Sequence, residues 1–202
     1  MSGAFPISTS KFQTMGIQSI QPTIISKSIS GKKLSRTIDA QRWAFTISII
    51  TSTRATAYGE LMAFIVKQRS GKENFTIIPP ELEDARGNIS GTVLVNGVHA
   101  VGDTTIAVDD MTGSLKAGDF IKFAHDKIYM VVADVTADGS NEATTIIEPP
   151  LTTALADDSS VTYDNVPFTV HLTNDMQEFG VVGVDKDGNH LYKFEFDVEE
   201  TL

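Results

Sequence analysis

Between Gln41 and Ile50 the chain alternates. Trp43, Phe45, Ile47 and Ile49 fall on one side, and Ala44, Thr46 and Ser48 on the other. A period of two predicts a strand with one buried face. After Thr51 the period lengthens: Tyr58, Leu61, Met62 and Ile65 recur at i, i+3, i+4 and i+7. That is the apolar stripe of an amphipathic helix, placed at about residues 53–70. Thr51, Ser52 or Thr53 is expected to cap its start, Lys67 and Arg69 to complement its dipole, and Gly71 to stop it. Phe75 to Ile78 reads as a further strand, ended by Pro79-Pro80.

Upstream, Ile17 to Ser30 is rich in Ile, Ser and Thr without helical period. It reads as extended, with Pro22 marking an edge or a break. Lys32 to Asp39 follows the Gly31 turn as a short polar strand. Downstream of Pro80, short β runs are divided by Asn96-Gly97, Thr112-Gly113, Ala117-Gly118-Asp119 and Asp138-Gly139. Thr104 to Val108, Phe120 to Phe123, Ile128 to Ala133 and Ala143 to Ile147 are the strand candidates, and Leu151 to Ala156 a single helical turn. Short strands at this spacing predict a small barrel. Long strands return at Pro167 to Leu172 and His190 to Glu199. In the latter, Tyr192, Phe194, Phe196 and Val198 alternate with Lys193, Glu195, Asp197 and Glu199. This matches the pattern of Trp43 to Ile49, so the late strands are expected to rejoin the N-terminal sheet. The expected fold is mainly β with one principal α-helix: a discontinuous β-sheet or β-sandwich domain, 1–87 plus 164–202, with a small β-barrel inserted at 88–163. The core framework expected for the first domain is Trp43, Phe45, Ile47, Tyr58, Leu61, Ile65, Phe75, Tyr192, Phe194 and Phe196.

Composition narrows the chemistry. The 202 residues are 41% apolar, enough for a real core. The absence of Cys removes disulfides, thiol catalysis and Cys-based zinc sites. No apolar run reaches the roughly 18 residues that would span a bilayer, so no membrane partner is expected. The opening MSGAFPISTSKFQTMG lacks the basic start and apolar stretch of a signal peptide. The net charge of −10 is uneven: residues 1–90 carry a balance of +5 and residues 91–202 one of −15. An acidic half disfavours phosphate binding, which needs clustered Lys and Arg. Lys32, Lys33 and Arg36 form too small a basic patch for nucleic acid. The asymmetry is either a solubilising surface or a polarity that lets copies or partners stack.

Catalytic patterns are missing. His99, His125, His171 and His190 lack metal-ligand spacing. His125-Asp126 reads as a loop tip, and His171 as an exposed strand position. Asp134 to Gly139 has the flavour of a calcium loop but lacks the Glu wanted at position 12, where Thr145 stands, and the flanking helices; Asp185 to Asn189 has the same flavour in an even shorter frame. They read as hairpin turns in which Asp-Gly supplies positive φ. Asp109-Asp110 and Asp157-Asp158 are adjacent pairs, which point to opposite faces of a strand. Glu199-Glu200 reads as a solvated end. Phosphate-loop and nucleophile-elbow motifs are absent. No enzyme activity, no metal and no cofactor is expected.

The stretch QRWAFTISIITSTRATAYGELMAFIVKQRSGKENFTIIPP resembles the N-terminal region of distal tail proteins of tailed bacteriophages. The resemblance rests on Arg42, Trp43 and Phe45 in a strand, Thr53-Arg54 at a helix start, Gly71 after the helix and Phe75-Thr76 in a strand before a proline. LKAGDFIKFAHDKIYMVVADVTADG, EPPL at Glu148 to Leu151 and VTYDNVPFTVHL at Val161 to Leu172 are similar to the distal half of those proteins. The likeness covers about 19–199, and departs at Ile49-Ile50-Thr51, where a proline-containing turn is common. It implies a virion protein of the tail tip, made in the host cytoplasm. Such a protein forms a homo-oligomeric, hexameric ring between the tail tube protein and the hub or baseplate protein, with the tape measure protein as a further neighbour. It lets DNA pass without binding it specifically. Under that reading the Ile17 to Ser30 arm pairs across subunits, with Ile17, Ile20, Ile24, Ile29, Lys32 and Arg36 as interface candidates.

Two alternatives stand beside it. The barrel at 88–163 could be a carbohydrate- or receptor-binding module of a tail or baseplate. Such sites expose aromatics for stacking on sugar rings, and the barrel's aromatics are Phe120, Phe123, Tyr129 and Tyr163, the first three in strands that read as buried. The chain could also be another tail tube or completion protein.

Overall fold

The structure is a computed structural model and describes residues 3–6, 11–38, 40–80 and 82–201. Asp39, expected to close the second strand, and residues 1–2 and 7–10 of the N-terminal stretch lie outside the described residues. The fold is mainly β, about 45% strand in several sheets, and among the described residues it has one helix, of 14 residues. The chain divides into two compact units, one within 1–18, 43–81 and 167–201, the other within 19–42 and 82–166.

The N-terminal strands are β1 (Phe12–Ile20), β2 (Thr23–Lys27), β3 (Lys33–Thr37) and β4 (Arg42–Thr53). The helix follows, its regular part being α1 (Gly59–Lys67), and then β5 (Phe75–Ile77). The middle strands are β6 (Leu94–Val95), β7 (Thr105–Asp109), β8 (Ser114–Leu115), β9 (Phe120–Lys122), β10 (Ile128–Val131), β11 (Val135–Thr136) and β12 (Ala143–Glu148). The last three are β13 (Phe168–Leu172), β14 (Gly180–Val184) and β15 (His190–Glu200).

The first unit is a six-stranded sheet in the order β1-β4-β15-β13-β5, with β14 also on β15. Nearly 150 residues apart in sequence, β4 and β15 are neighbours: Phe194 lies opposite Ile49, Phe196 opposite Ile47 and Val198 opposite Phe45. Opposite residues in a ladder share a face, so the two alternating patterns merge into one apolar layer. Trp43, Phe45, Ile47, Phe194 and Phe196 are buried there, together with Tyr58, Leu61 and Ile65 of the helix and Phe75 of β5. Tyr192 is half-buried and stacks on Tyr58, with centroids 4.6 Å apart. Phe45 meets Phe168 edge-on at 5.0 Å. Gly3 and Phe5 bond to both sides of Thr76, covering the outer edge of β5.

The alternation also corrects an expectation. Glu200 is not solvated; it is fully buried. β15 carries its inward period one step past Val198, and the Glu200 carboxylate accepts the Trp43 N–H at 3.2 Å. The helix start differs as well. β4 runs through Ser52 to Thr53, so Thr51 and Ser52 are strand residues, and Thr53 makes no side-chain cap. The Thr56 hydroxyl instead donates to the Thr53 carbonyl at 3.1 Å. The first turn, Arg54–Tyr58, is a π-turn, with Gly59 N–H donating to the Arg54 carbonyl. A Cβ on Gly59 would sit 2.7 Å from that oxygen, so the widened turn needs a glycine. At the other end the left-handed residues are Arg69 and Ser70, not Gly71. Gly71 is required for a different reason: a Cβ there would lie 2.6 Å from the Leu172 carbonyl oxygen.

The second unit holds a five-stranded sheet, β6-β7-β12-β10-β9, curled into a half-barrel. Residues 159–162 bond to both outer strands: Val95 N–H reaches the Ser159 carbonyl, and Lys122 exchanges two bonds with Thr162. Val95, Ile106, Met111, Tyr129, Val131 and Ile147 fill the interior. A small β8–β11 pair lies beside it. Asp119 is buried and holds the Lys116–Asp119 turn in place, accepting from Lys116 N–H at 2.7 Å and from Arg86 N–H at 3.1 Å. Leu151 to Ala156 is not a helical turn. It bends at Thr152 and Thr153 and forms a single bridge, in which Leu155 exchanges two backbone bonds with His99.

Candidate assembly surface

The segment between β1 and β4 forms a hairpin of its own. β2 and β3 pair antiparallel from Thr23 opposite Thr37 to Lys27 opposite Lys33, and among the described residues no other strand joins them. The tip is closed by Ser28, whose carbonyl accepts Gly31 N–H and whose hydroxyl accepts Lys32 N–H at 3.1 Å. The base is closed by Ile38 N–H on the Pro22 carbonyl. Beyond the base, Gln41 and Lys127 are both buried. The Lys127 ammonium donates to the Gln41 carbonyl and to Gln41 Oε1, each at 2.8 Å, and Gln41 Nε2 donates to the Ser19 hydroxyl. A buried ammonium needs such acceptors, and here they tie the root of the hairpin to the rest of the second unit.

Every residue of β2 and β3 is exposed. Ile24 (58%), Ile25 (55%) and Leu34 (57%) stand in solvent, and Ile29 at the tip is wholly exposed. Ile24 faces Arg36 across the ladder, and Ser26 faces Leu34, so Ile24, Leu34 and Arg36 share one side of the hairpin. Of the other interface candidates, Ile17 and Ile20 lie on β1, beside β4, with Ile17 partly exposed and Ile20 half-buried. Lys32 is exposed just past the tip.

A second exposed surface has no counterpart in the sequence expectations. β14 pairs only with β15 among the described strands, and Val181 (52%), Val182 (57%) and Val184 (57%) are exposed on it. Val182 forms a bulge between Val181 and Gly183. Two glycines in five residues hide this strand from a reading based on period. The turn joining it to β15 is the expected hairpin: the Asp185 carboxylate accepts from Asp187 and Asn189 N–H, and Gly188 has φ +84°. These bonds hold the Asp185 carboxyl below its ordinary pKa, the Asn189 side chain contributing most. At the other Asp-Gly turn, Asp138 accepts from Ser140 and Glu142 N–H, but the positive φ belongs to Asn141 and not to Gly139.

The groups weighed for chemistry stay apart. His99 accepts the Ala107 N–H in the half-barrel, and His125 sits at the β9–β10 tip against Tyr129. His171 is half-buried, not exposed, and bonds Thr201, while His190 is exposed. Among the described residues no group of three or more His, Cys, Asp or Glu could hold a metal ion. A groove of about 400 Å³ in the first unit is lined by Thr53, Arg54, His190 and Tyr192 among others, with no carboxylate. In the half-barrel, Phe120, Phe123 and Tyr129 are buried, and Tyr163 donates its hydroxyl to the Gly91 carbonyl. Among the described residues no helix is long and apolar enough to cross a membrane.

A scan against protein-family models finds no match to this chain, and neither does a search of curated proteins.

Proposed function

We propose that this chain is a structural protein of a bacteriophage tail tip, whose function is to assemble with copies of itself into a hexameric ring between the tail tube and the hub or baseplate, with DNA passing through. The observation that carries the reading is the Thr23–Thr37 hairpin, which has no buried position in either strand and exposes Ile24, Ile25 and Leu34. A lone two-stranded hairpin is marginal in water, and exposed apolar positions grouped in this way mark an interaction surface. The resemblance of Gln41 to Pro80 to distal tail proteins gives that surface its context. Phe120, Phe123 and Tyr129 of the half-barrel are buried, so the carbohydrate-binding alternative gains no support from them.

The test is the mass of the purified protein across a concentration series, with electron microscopy of the protein alone and beside tail-tube protein. Rings are the expected result. A monomer at high concentration that forms no ring beside tube protein refutes the proposal.

A further inference from the structure

The hairpin and β14 differ in charge as well as in position along the chain. Residues 21–38 hold Lys27, Lys32, Lys33 and Arg36 and no acidic residue. Residues 174–189 hold Asp175, Glu178, Asp185 and Asp187 against Lys186 alone. The hairpin is basic throughout, and the β14 segment is acidic on balance, with Lys186 in its turn and Lys193 opposite Gly180 as the cations beside it. Two hairpins would repel each other, and so would two β14 strands. A hairpin against a β14 strand brings opposite charges together, and such complementarity selects partner and register.

We propose that the β2–β3 hairpin of one copy docks on the β14 strand of the next. Ile24 and Leu34 pack on Val181, Val182 and Val184, and Arg36, on the same face, with Lys32 at the tip lies over Asp175, Glu178 and Asp187. The contact uses two different patches of one chain, so it is head-to-tail and closes into a ring or propagates as a filament. The Val182 bulge guards the β14 edge against indiscriminate strand pairing until the hairpin arrives. The inference deepens the assembly reading above and rests on it.

Charge reversal tests the contact. The variant K32E/K33E/R36E carries an acidic hairpin against an acidic β14 surface, and D175K/E178K/D187K carries a basic surface against a basic hairpin. Each alone is expected to lose the assembled species, and an equimolar mixture to regain it, because the acidic hairpin of one variant then meets the basic surface of the other. Assembly of the unaltered protein weakens as salt rises. Because the chain has no Cys, single cysteines give a second readout with a short bis-maleimide. I24C and V182C are expected to cross-link when mixed, and neither with itself. In the I24C/V182C double variant the cross-linked ladder stops at the rung of the closed ring.

A mixed cross-link whose ladder runs on without end supports the contact and refutes the closed ring. An unaltered protein that assembles while both charge variants assemble equally well and no mixed cross-link forms refutes the contact and leaves the assembly reading standing. Self-cross-linking of I24C or of V182C alone also refutes it. An unaltered protein that stays monomeric beside tube protein refutes both.

Discussion

Truncating Phe196 to Ala tests whether β15 completes the sheet begun by β4. Phe196 is almost wholly buried, opposite Ile47 in the ladder. Its ring stacks on Phe194 at 5.1 Å and meets Phe5 at 5.6 Å. Removing a buried Phe side chain costs about 3–5 kcal/mol, and each ring pairing is worth about 0.5–1.5 kcal/mol beyond burial. The substitution abolishes both ring pairings, so a cost of about 4 kcal/mol is expected, against total stabilities of about 5–15 kcal/mol. The probe is built in: Trp43 is the only tryptophan, it is buried on β4, and its N–H is held by Glu200 on β15. Guanidinium unfolding followed by its fluorescence has a slope of about 3–4 kcal/mol per molar for a domain of this size, so the midpoint falls by about 1 M. Lys193→Ala, exposed on the same strand, is the control and stays within about 0.5 kcal/mol. A Phe196→Ala midpoint within about 0.3 M of the unaltered protein, equivalent to about 1 kcal/mol, refutes the co-folding of these two strands.

Asp119→Ala removes the acceptor of Lys116 and Arg86 N–H and is expected to cost about 2–4 kcal/mol, read as a lower melting temperature by calorimetry. Gly71→Ala drives a methyl into the Leu172 carbonyl and costs about 1–3 kcal/mol, read in the Trp43 unfolding curve. Burial foremost, then Lys122, lowers the pKa of His125 below 6.5; the unfolded chain therefore takes up a proton first. The stability His125 contributes is complete above pH 6.5 and is lost as pH falls toward the folded value, so melting temperatures drop over that window and His125→Asn flattens the dependence. Burial foremost, then Asp110, Asp158 and Asp157, raises the pKa of Asp109, whose Oδ1 is buried and accepts no hydrogen bond among the described residues. Its charge opposes folding at neutral pH, so Asp109→Asn raises the melting temperature at about pH 7, and the gain disappears in acid, where the native carboxyl is already neutral.

The discontinuous sheet is legible in the sequence because both of its long strands bury one face only. Trp43 to Ile49 and Phe194 to Val198 each alternate without interruption, and two one-sided strands solve each other's burial. The helix is legible from Tyr58, Leu61 and Ile65, but its ends are not. Thr51 and Ser52 look like caps in isolation, yet pairing with β15, in which Ser52 lies opposite Tyr192, holds them in the strand. Gly71 looks like a stop, but its role is set by the carbonyl of Leu172, far along the chain. Glu200 is illegible because a carboxylate near a chain end defaults to solvent unless a partner is known, and its partner is a backbone N–H on β4. β14 carries no signal because Gly180 and Gly183 break its period, and it is supported by the turn chemistry of Asp185 to Asn189.

Ile24-Ile25 has a different kind of illegibility. Adjacent residues on a strand point to opposite faces, so no placement against a single core buries both. Burial of both on one face would need alternation there, as at Trp43 to Ile49. Instead the polar and apolar positions of β2 and β3 are mixed on both faces, and Ile24, Ile25 and Leu34 stay in solvent. Their hydrophobicity does nothing for the isolated chain and disfavours its exposed state. The alternating strands thus encode the fold, and the non-alternating apolar strand carries the surface on which the proposed contact between copies rests.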